Sequence, residues 1–275
     1  MSRIRSCGFA KRMTMILPNA KDAIHKAWLY RLLAEIYDDP LLANSLYFKG
    51  GTCAAMLGYL DRFSVDLDFD FVGEVSDVKE IKKQLEKVFQ KLDLEIKDQR
   101  KNVPQYFLKY PTRENERNTI KLNVSFPPIK TNQYEPKEFT DIDRIINCQT
   151  IETMFANKLV ALIGRYEKNE SIAGRDVYDI RHFFLQGYRY NETVIEERRK
   201  TSALKFFQEL ADFVEENITE KIINQDLNVL LTPEKFQKIR KILKRETLMF
   251  LRDEIARLKA QKLISLDKTR KTCYT

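Results

Sequence analysis

Two histidines, His25 and His182, and four scattered cysteines are the chain's entire supply of imidazole and thiolate metal ligands. A multi-histidine metal centre is therefore excluded, and a Ser-His-Asp triad would have to use one of two unpromising imidazoles. Cys7, Cys53, Cys148 and Cys273 form neither a CxxC redox pair nor a zinc-ligand cluster, and they read as reduced bystanders. No apolar run is long enough to span a bilayer. The basic opening, residues 1–17, has its apolar positions interrupted by charges and never forms a signal-peptide core, so cytoplasmic residence is the expectation. Gly/Ser linkers, low-complexity segments and internal repeats are absent as well. Chemistry must then rest on carboxylates, lysine, arginine and backbone.

The chain has 275 residues, 43% hydrophobic and 32% charged, the balance of an ordinary globular protein. That length suggests roughly one to two domains with a sizeable core. Net charge is +8, and Glu234 to Lys271 holds 13 Lys and Arg against 5 acidic residues, so the whole excess sits near the C-terminal end. Such a concentration suits a polyanionic partner such as RNA; a solvated helix face tolerating surplus charge is the plainer alternative.

Ile24, Trp28, Leu32 and Ile36 recur at four-residue steps and predict an amphipathic helix over 20–37. Leu46-Tyr47-Phe48 reads as a short strand, stopped by Gly50-Gly51 and followed by a helical run from Thr52, a candidate cap, to Leu57. Val65 to Phe71 alternates apolar and acidic residues at period two, which places Asp66, Asp68 and Asp70 on one strand face. A helix over 76–92 and strands at LEIKD, QYFLKY and TIKLNVSF follow, the last ended by Pro127-Pro128. Beyond Thr150 the periodicity is helical: 150–168, 175–187, about 192–215 and about 233–264. The expectation is an α+β fold, a mixed-sheet domain with N-terminal helices over residues 1–149 followed by a helical domain over 150–275.

Asp66 and Asp68 lie about 6.5–7 Å apart along a strand rising roughly 3.3 Å per residue, so both can reach one ion. Hard oxygen ligands suit Mg²⁺ or Mn²⁺, which need few protein carboxylates when substrate phosphates complete the shell. Gly50 and Gly51, lacking side chains, let backbone amides ahead of a helix approach a triphosphate. An EF-hand is excluded, because Phe71 stands where that loop needs glycine and Asp77 where it needs glutamate. An isolated acidic triplet can equally be a solvated strand face.

The surrounding residues narrow the choice. Residues 49–71, KGGTCAAMLGYLDRFSVDLDFDF, resemble the first motif of the AbiEii family of nucleotidyltransferase-like toxins: GGT, a short helix, then RxSxDLDF. The matching positions are Gly50, Gly51, Thr52, Arg62, Ser64, Asp66, Leu67, Asp68 and Phe69. ANKLVALIGR at 156–165 and GRDVYDIRHFF at 174–184 look like the family's later lysine helix and RDxxD helix, so the likeness covers roughly residues 45–185. It implies a nucleotidyltransferase-like sheet and a metal on Asp66 and Asp68. It also implies Gly50, Gly51, Thr52, Ser64 and Lys158 around the nucleotide, and catalytic roles for Asp66, Asp68, Lys158 and Asp176. Lys158 would act as a point charge on the triphosphate, and Asp176 and Asp179, one helical turn apart, could share a face.

The resemblance further implies a nucleoside triphosphate as substrate, transfer RNA as the favoured acceptor, growth inhibition, and a cognate antitoxin in a toxin-antitoxin or abortive-infection pair. Relatives of this fold bring a third acidic residue from a later strand, where this chain offers Asn123; Asp70 or another group must substitute, or two carboxylates suffice. Asn123 keeps open a non-catalytic nucleotide-binding or interaction protein, and the acceptor keeps open a transferase that modifies protein.

Overall fold

A computed structural model describes residues 15–100, 104–112 and 116–272, with side chains as far as residue 264. Residues 1–14, with Cys7, and residue Cys273 lie outside the described residues. Helix α1 (Asp22–Asp38) buries Leu29, Leu32, Leu33 and Ile36. The inward stripe is turned relative to the predicted one: Ile24 is exposed and Trp28 half-buried, stacked on Tyr110. Helix α2 (Pro40–Ser45), capped by the Asp39 carboxylate, runs straight into β1 (Leu46–Lys49).

After β1 come α3 (Gly50–Met56), β2 (Asp66–Phe71), α4 (Val78–Lys91), β3 (Glu95–Gln99), β4 (Gln105–Lys109) and β5 (Thr119–Ser125), then β6 (Tyr134–Phe139) and β7 (Arg144–Gln149). The seven strands form one mixed sheet in the order β3-β4-β5-β2-β1-β7-β6. Leu67, Phe69 and Phe71 bury the apolar face of β2, as its alternation demands. β2 pairs antiparallel with β1, setting Lys49 opposite Asp68, and parallel with β5, setting Asn123 opposite Asp68. β1 pairs parallel with β7, Phe48 against Cys148. The β6–β7 hairpin carries little sequence signal, since β6 contains Pro136, tolerated because it is an edge strand. In β7 the neighbours Ile145, exposed, and Ile146, buried, blur the period.

Every described element after Gln149 is helical: α5 (Ile151–Asn169), α6 (Gly174–Leu185), α7 (Glu192–Arg199), α8 (Ala203–Asn217), α9 (Glu220–Leu227), α10 (Pro233–Ile239) and α11 (Leu243–Thr272). The helix predicted over 192–215 is two, because Lys200 turns left-handed at φ 54° and Ser202 starts a new helix by accepting from the Lys205 amide. The long C-terminal helix is also two, broken at residues 240–242, with Ile239 and Leu243 buried on either side. The predictions miss α9, which starts from a Thr219 cap. One cluster of buried apolar side chains runs from α1 to α11 and includes Phe63, Leu159 and Phe183. No described helix is long and apolar enough to cross a membrane.

Candidate functional site

Where β1 ends, Gly50 adopts φ +80°, a left-handed value that favours glycine, and the chain turns into α3. A Cβ there would lie 2.7 Å from Asp68 Oδ2, and one on Gly51 would lie 2.8 Å from Arg62 Nη2 and 3.0 Å from Ser64 Oγ. The glycine pair thus lets the backbone rest directly on the carboxylate strand. Gly50→Ala should displace Asp68 and lower nucleotide transfer by on the order of 10²-fold, the cost of roughly 1 Å of misplacement. Steady-state assay of a folded variant checks this, and wild-type activity would show that the close approach is not needed.

Thr52 is not the cap of α3. It sits inside the helix, 1% exposed, with its hydroxyl in hydrogen-bond reach of Ser64 Oγ at 2.9 Å and of the Asp66 carbonyl. It thereby ties α3 to the start of β2 and lines neither hollow described below. Ser64 precedes the strand rather than extending it, yet it lines the site.

The three strand carboxylates have different surroundings. Asp70 is 1% exposed and accepts from Lys49 Nζ at 2.6 Å, Gln149 Nε2 at 2.6 Å, Tyr134 OH at 2.9 Å and Asn132 Nδ2 at 3.1 Å. So saturated, it is not a spare metal ligand. Asp68 accepts one long bond, from Asn123 Nδ2 at 3.3 Å, and the Asp66 carboxylate has no hydrogen-bond or ion-pair partner among the described residues. Burial and the neighbouring Asp68 charge raise the Asp66 pKa above the ordinary value. Two adjacent carboxylates with lone pairs to spare suit a hard divalent cation that keeps substrate oxygens in its shell. Among the described residues no group of three or more His, Cys, Asp or Glu forms such a site, so the pair would act without a third protein carboxylate.

Facing this strand is a chain of buried charges. Lys158 on α5 contacts Asp176 at 2.9 Å and Asp179 at 3.0 Å, both on α6. Asp179 is gripped through two oxygens by Arg62, Nε at 2.5 Å and Nη2 at 2.7 Å, while Arg165 reaches Asp176 at 3.4 Å. Burial alone would lower the Lys158 pKa, but Asp176 and Asp179 outweigh it and hold the ammonium charged. The predicted sharing of one face by Asp176 and Asp179 is observed, and Lys158 lines the same hollow as Asp66 and Asp68. Arg62 is the residue whose part was not foreseen. It stands in the RxSxDLDF stretch, and its pairing with Asp179 joins that stretch to RDVYD.

Two hollows share the wall formed by Gly50, Gly51, Asp68 and Lys158. The first, of about 180 Å³, is mainly apolar, with Ala54, Leu60, Met154, Ala161 and Phe183 beside Arg198. The second, of about 250 Å³, is polar and includes Asp66, Asn123, Lys121 and Arg175. Arg198 and Lys121 belong to no motif, and Arg175, the arginine of RDVYD, carries no spacing that marks it as a ligand; only the fold brings all three to the lining of a cavity.

The fold is shared with JHP933 from Helicobacter pylori, at 21% identity, 93% of this chain, 100% of that one and a TM-score of 0.56. It is also shared with MenT4, a nucleotidyltransferase toxin from Mycobacterium tuberculosis H37Rv, at 18% identity, 85% of this chain, 84% of that one and a TM-score of 0.54. No curated protein matches the chain in sequence. Residues 31–247, which contain the glycine turn, the carboxylate strand and the lysine and RDxxD helices, match the nucleotidyl transferase AbiEii toxin family of type IV toxin-antitoxin systems. The chain belongs to that family and is a nucleotidyltransferase.

Proposed function

We propose that the protein transfers a nucleotide from a Mg²⁺- or Mn²⁺-bound nucleoside triphosphate to RNA, with transfer RNA as acceptor, and so acts in the cytoplasm as the growth-inhibiting member of a pair with a cognate antitoxin. The observation that carries the proposal is the contrast along β2: Asp70 is saturated by four donors, while beside the glycine turn Asp68 keeps only the long Asn123 bond and the Asp66 carboxylate has no hydrogen-bond or ion-pair partner among the described residues. Asp66 and Asp68 would hold the ion, which when bound polarises the phosphates and lowers the barrier to attack. Gly50 and Gly51 let the backbone approach the phosphates, Ser64 adds a hydroxyl, and Lys158, oriented by Asp176 and Asp179, offers positive charge at the shared wall. Thr52 supports the nucleotide from behind, through Ser64 and the Asp66 carbonyl. An acceptor hydroxyl oxygen forms a bond to the α-phosphorus as the bond to the β-phosphate breaks. Pyrophosphate leaves with that electron pair, and the hydroxyl proton passes to water.

The basic stretch from α10 through the break at 240–242 into α11 supports an RNA acceptor, with Lys238, Lys241 and Arg245 exposed. Lys235 is instead spent on Asp61, and Lys244 donates to the Glu215 carbonyl. Incubating labelled triphosphates separately with RNA and with protein extract tests the reading. Label on RNA is the expected result; label on protein points to a protein-modifying enzyme, and tight binding without transfer to a non-catalytic one. Lys158→Ala should lower transfer by on the order of 10²-fold, whereas Lys79→Ala, on the exposed side of α4, should leave it unchanged. Equal rates would remove Lys158 from the site.

A further inference from the structure

A buried or half-buried cation without an anionic neighbour is costly to desolvate, so its persistence beside a cavity marks an anion's place. In the polar hollow Arg62 and Lys158 are fixed in ion pairs with Asp176 and Asp179. Lys121 and Arg175 are held less closely. Among the described residues neither side chain makes an ion pair; the Lys121 ammonium lies 5.9 Å from the Phe107 ring, and both cations act through space on the Asp66 carboxylate, whose charge a bound divalent cation would take up. Both line the hollow, on β5 and at the start of α6, flanking Asp66 from the side away from the apolar hollow.

Resting on the reading of the site as an RNA-directed nucleotidyltransferase, we infer that the part of this hollow lined by Lys121 and Arg175 is the acceptor subsite, where the two cations hold backbone phosphates of a single-stranded RNA end. Three features assign it to the acceptor rather than the triphosphate. The apolar hollow supplies what a nucleobase needs, flat apolar walls with a few polar groups. It also has its own cation for phosphate, Arg198, which bonds Asn157 Oδ1 at 2.8 Å and makes no ion pair among the described residues, feeling the Asp70 charge only through space. Finally, Leu230 lines the polar hollow, and Pro233, three residues on, begins α10, after which the exposed Lys238, Lys241 and Arg245 follow, so the segment that carries the basic surface starts beside this hollow. Attack on the α-phosphorus at the shared wall then comes from the polar side, with Asp66 and Asp68 between the two substrates.

The test is the double variant Lys121→Gln with Arg175→Gln, compared with the charge-keeping Lys121→Arg and Arg175→Lys. Affinity for magnesium triphosphate, for a short single-stranded RNA and for bulk transfer RNA is measured over a range of salt, with thermal melting alongside. The glutamine pair should bind both RNAs more weakly by on the order of tenfold or more, with a salt slope smaller by about 1.4 for two contacts at roughly 0.7 each. Triphosphate affinity should be retained, and the charge-keeping pair should restore RNA binding. If the glutamine pair melts, each single glutamine variant carries the same comparison, with a slope change of about 0.7. Loss of triphosphate affinity with RNA binding intact would assign the two cations to the nucleotide and overturn the inference, as would RNA affinity and slope that do not move. Failure of the unmutated chain to label RNA overturns the RNA reading itself; labelling that the glutamine pair performs as well overturns only this assignment.

Discussion

Asp68→Asn lowers nucleotide transfer by on the order of 10³-fold, because several kcal/mol of transition-state stabilisation by a bound cation depend on its ligands, at about 1.4 kcal/mol per decade. The change keeps shape and volume, and an amide at this position can still bond the Asn123 side chain that faces it at 3.3 Å. The fold should therefore survive, and the metal-free variant should be as stable as the unmutated chain or slightly more so. The reason lies in Asp66. Burial and the Asp68 charge raise its pKa, so the folded state holds its proton more tightly than the unfolded chain does. A raised carboxyl value means a contribution that favours folding below the unfolded value and fades as pH rises through the folded one. Neutralising Asp68 removes that repulsion at neutral pH. Activity assays with magnesium titration, together with melting in chelator, check both halves. Retained activity would dismiss Asp68 as a ligand, and a large fall in melting temperature would recast it as a structural residue.

Asp179→Ala is expected to destabilise the protein by about 3–5 kcal/mol, the range for stranding a buried charge. Arg62 and Asp179 are 2% and 0% exposed and meet through two hydrogen bonds, so removal of the carboxylate leaves a guanidinium sealed from water with only the Phe63 carbonyl. At a few degrees per kcal/mol for a chain of this size, the melting temperature should fall by on the order of 10 °C. Changing both partners, Arg62→Met with Asp179→Leu, should recover most of the loss, since Lys158 keeps Asp176. Burial acts to raise the Asp179 pKa, but Arg62 and Lys158 outweigh it and leave the value depressed. Its stabilisation is therefore complete above the ordinary aspartate value near 4 and lost as pH falls through the folded value. Denaturation curves taken against pH should show this acid loss in the unmutated chain and not in the variant.

Local signals in the sequence foretold local structure and stopped there. Alternation through Val65–Phe71 and the Gly50-Gly51 break are carried by adjacent residues, so the carboxylate strand and the turn beside it were readable, whereas the register that sets Asn123 opposite Asp68 comes from pairing between distant strands. Asp70 was indistinguishable from Asp66 and Asp68 by period alone. Its different fate is decided by Lys49, Asn132, Tyr134 and Gln149, none of them on its strand. The split at Lys200 went unread because a lysine, not a glycine, takes the left-handed turn. Arg62 and Asp179 were each quoted within a motif, yet their pairing spans 117 positions and has no spacing to betray it.

The parallel pairing of β1 with β7 has a consequence for how the protein comes into being. Phe48 and Cys148 are neighbours in the sheet although a hundred positions separate them. At ribosomal rates of roughly 5–20 residues per second, β1 waits about 5–20 s for its partner, with an unpaired edge exposed in the interval. The lysine and RDxxD helices emerge later still, so Lys158, Asp176 and Asp179 come to Asp66 and Asp68 only when most of the chain has been made. A nascent or prematurely terminated chain would carry both carboxylates but lack the charges opposite them. A half-made copy therefore holds only one side of the site, and the site is completed by the part of the chain made last.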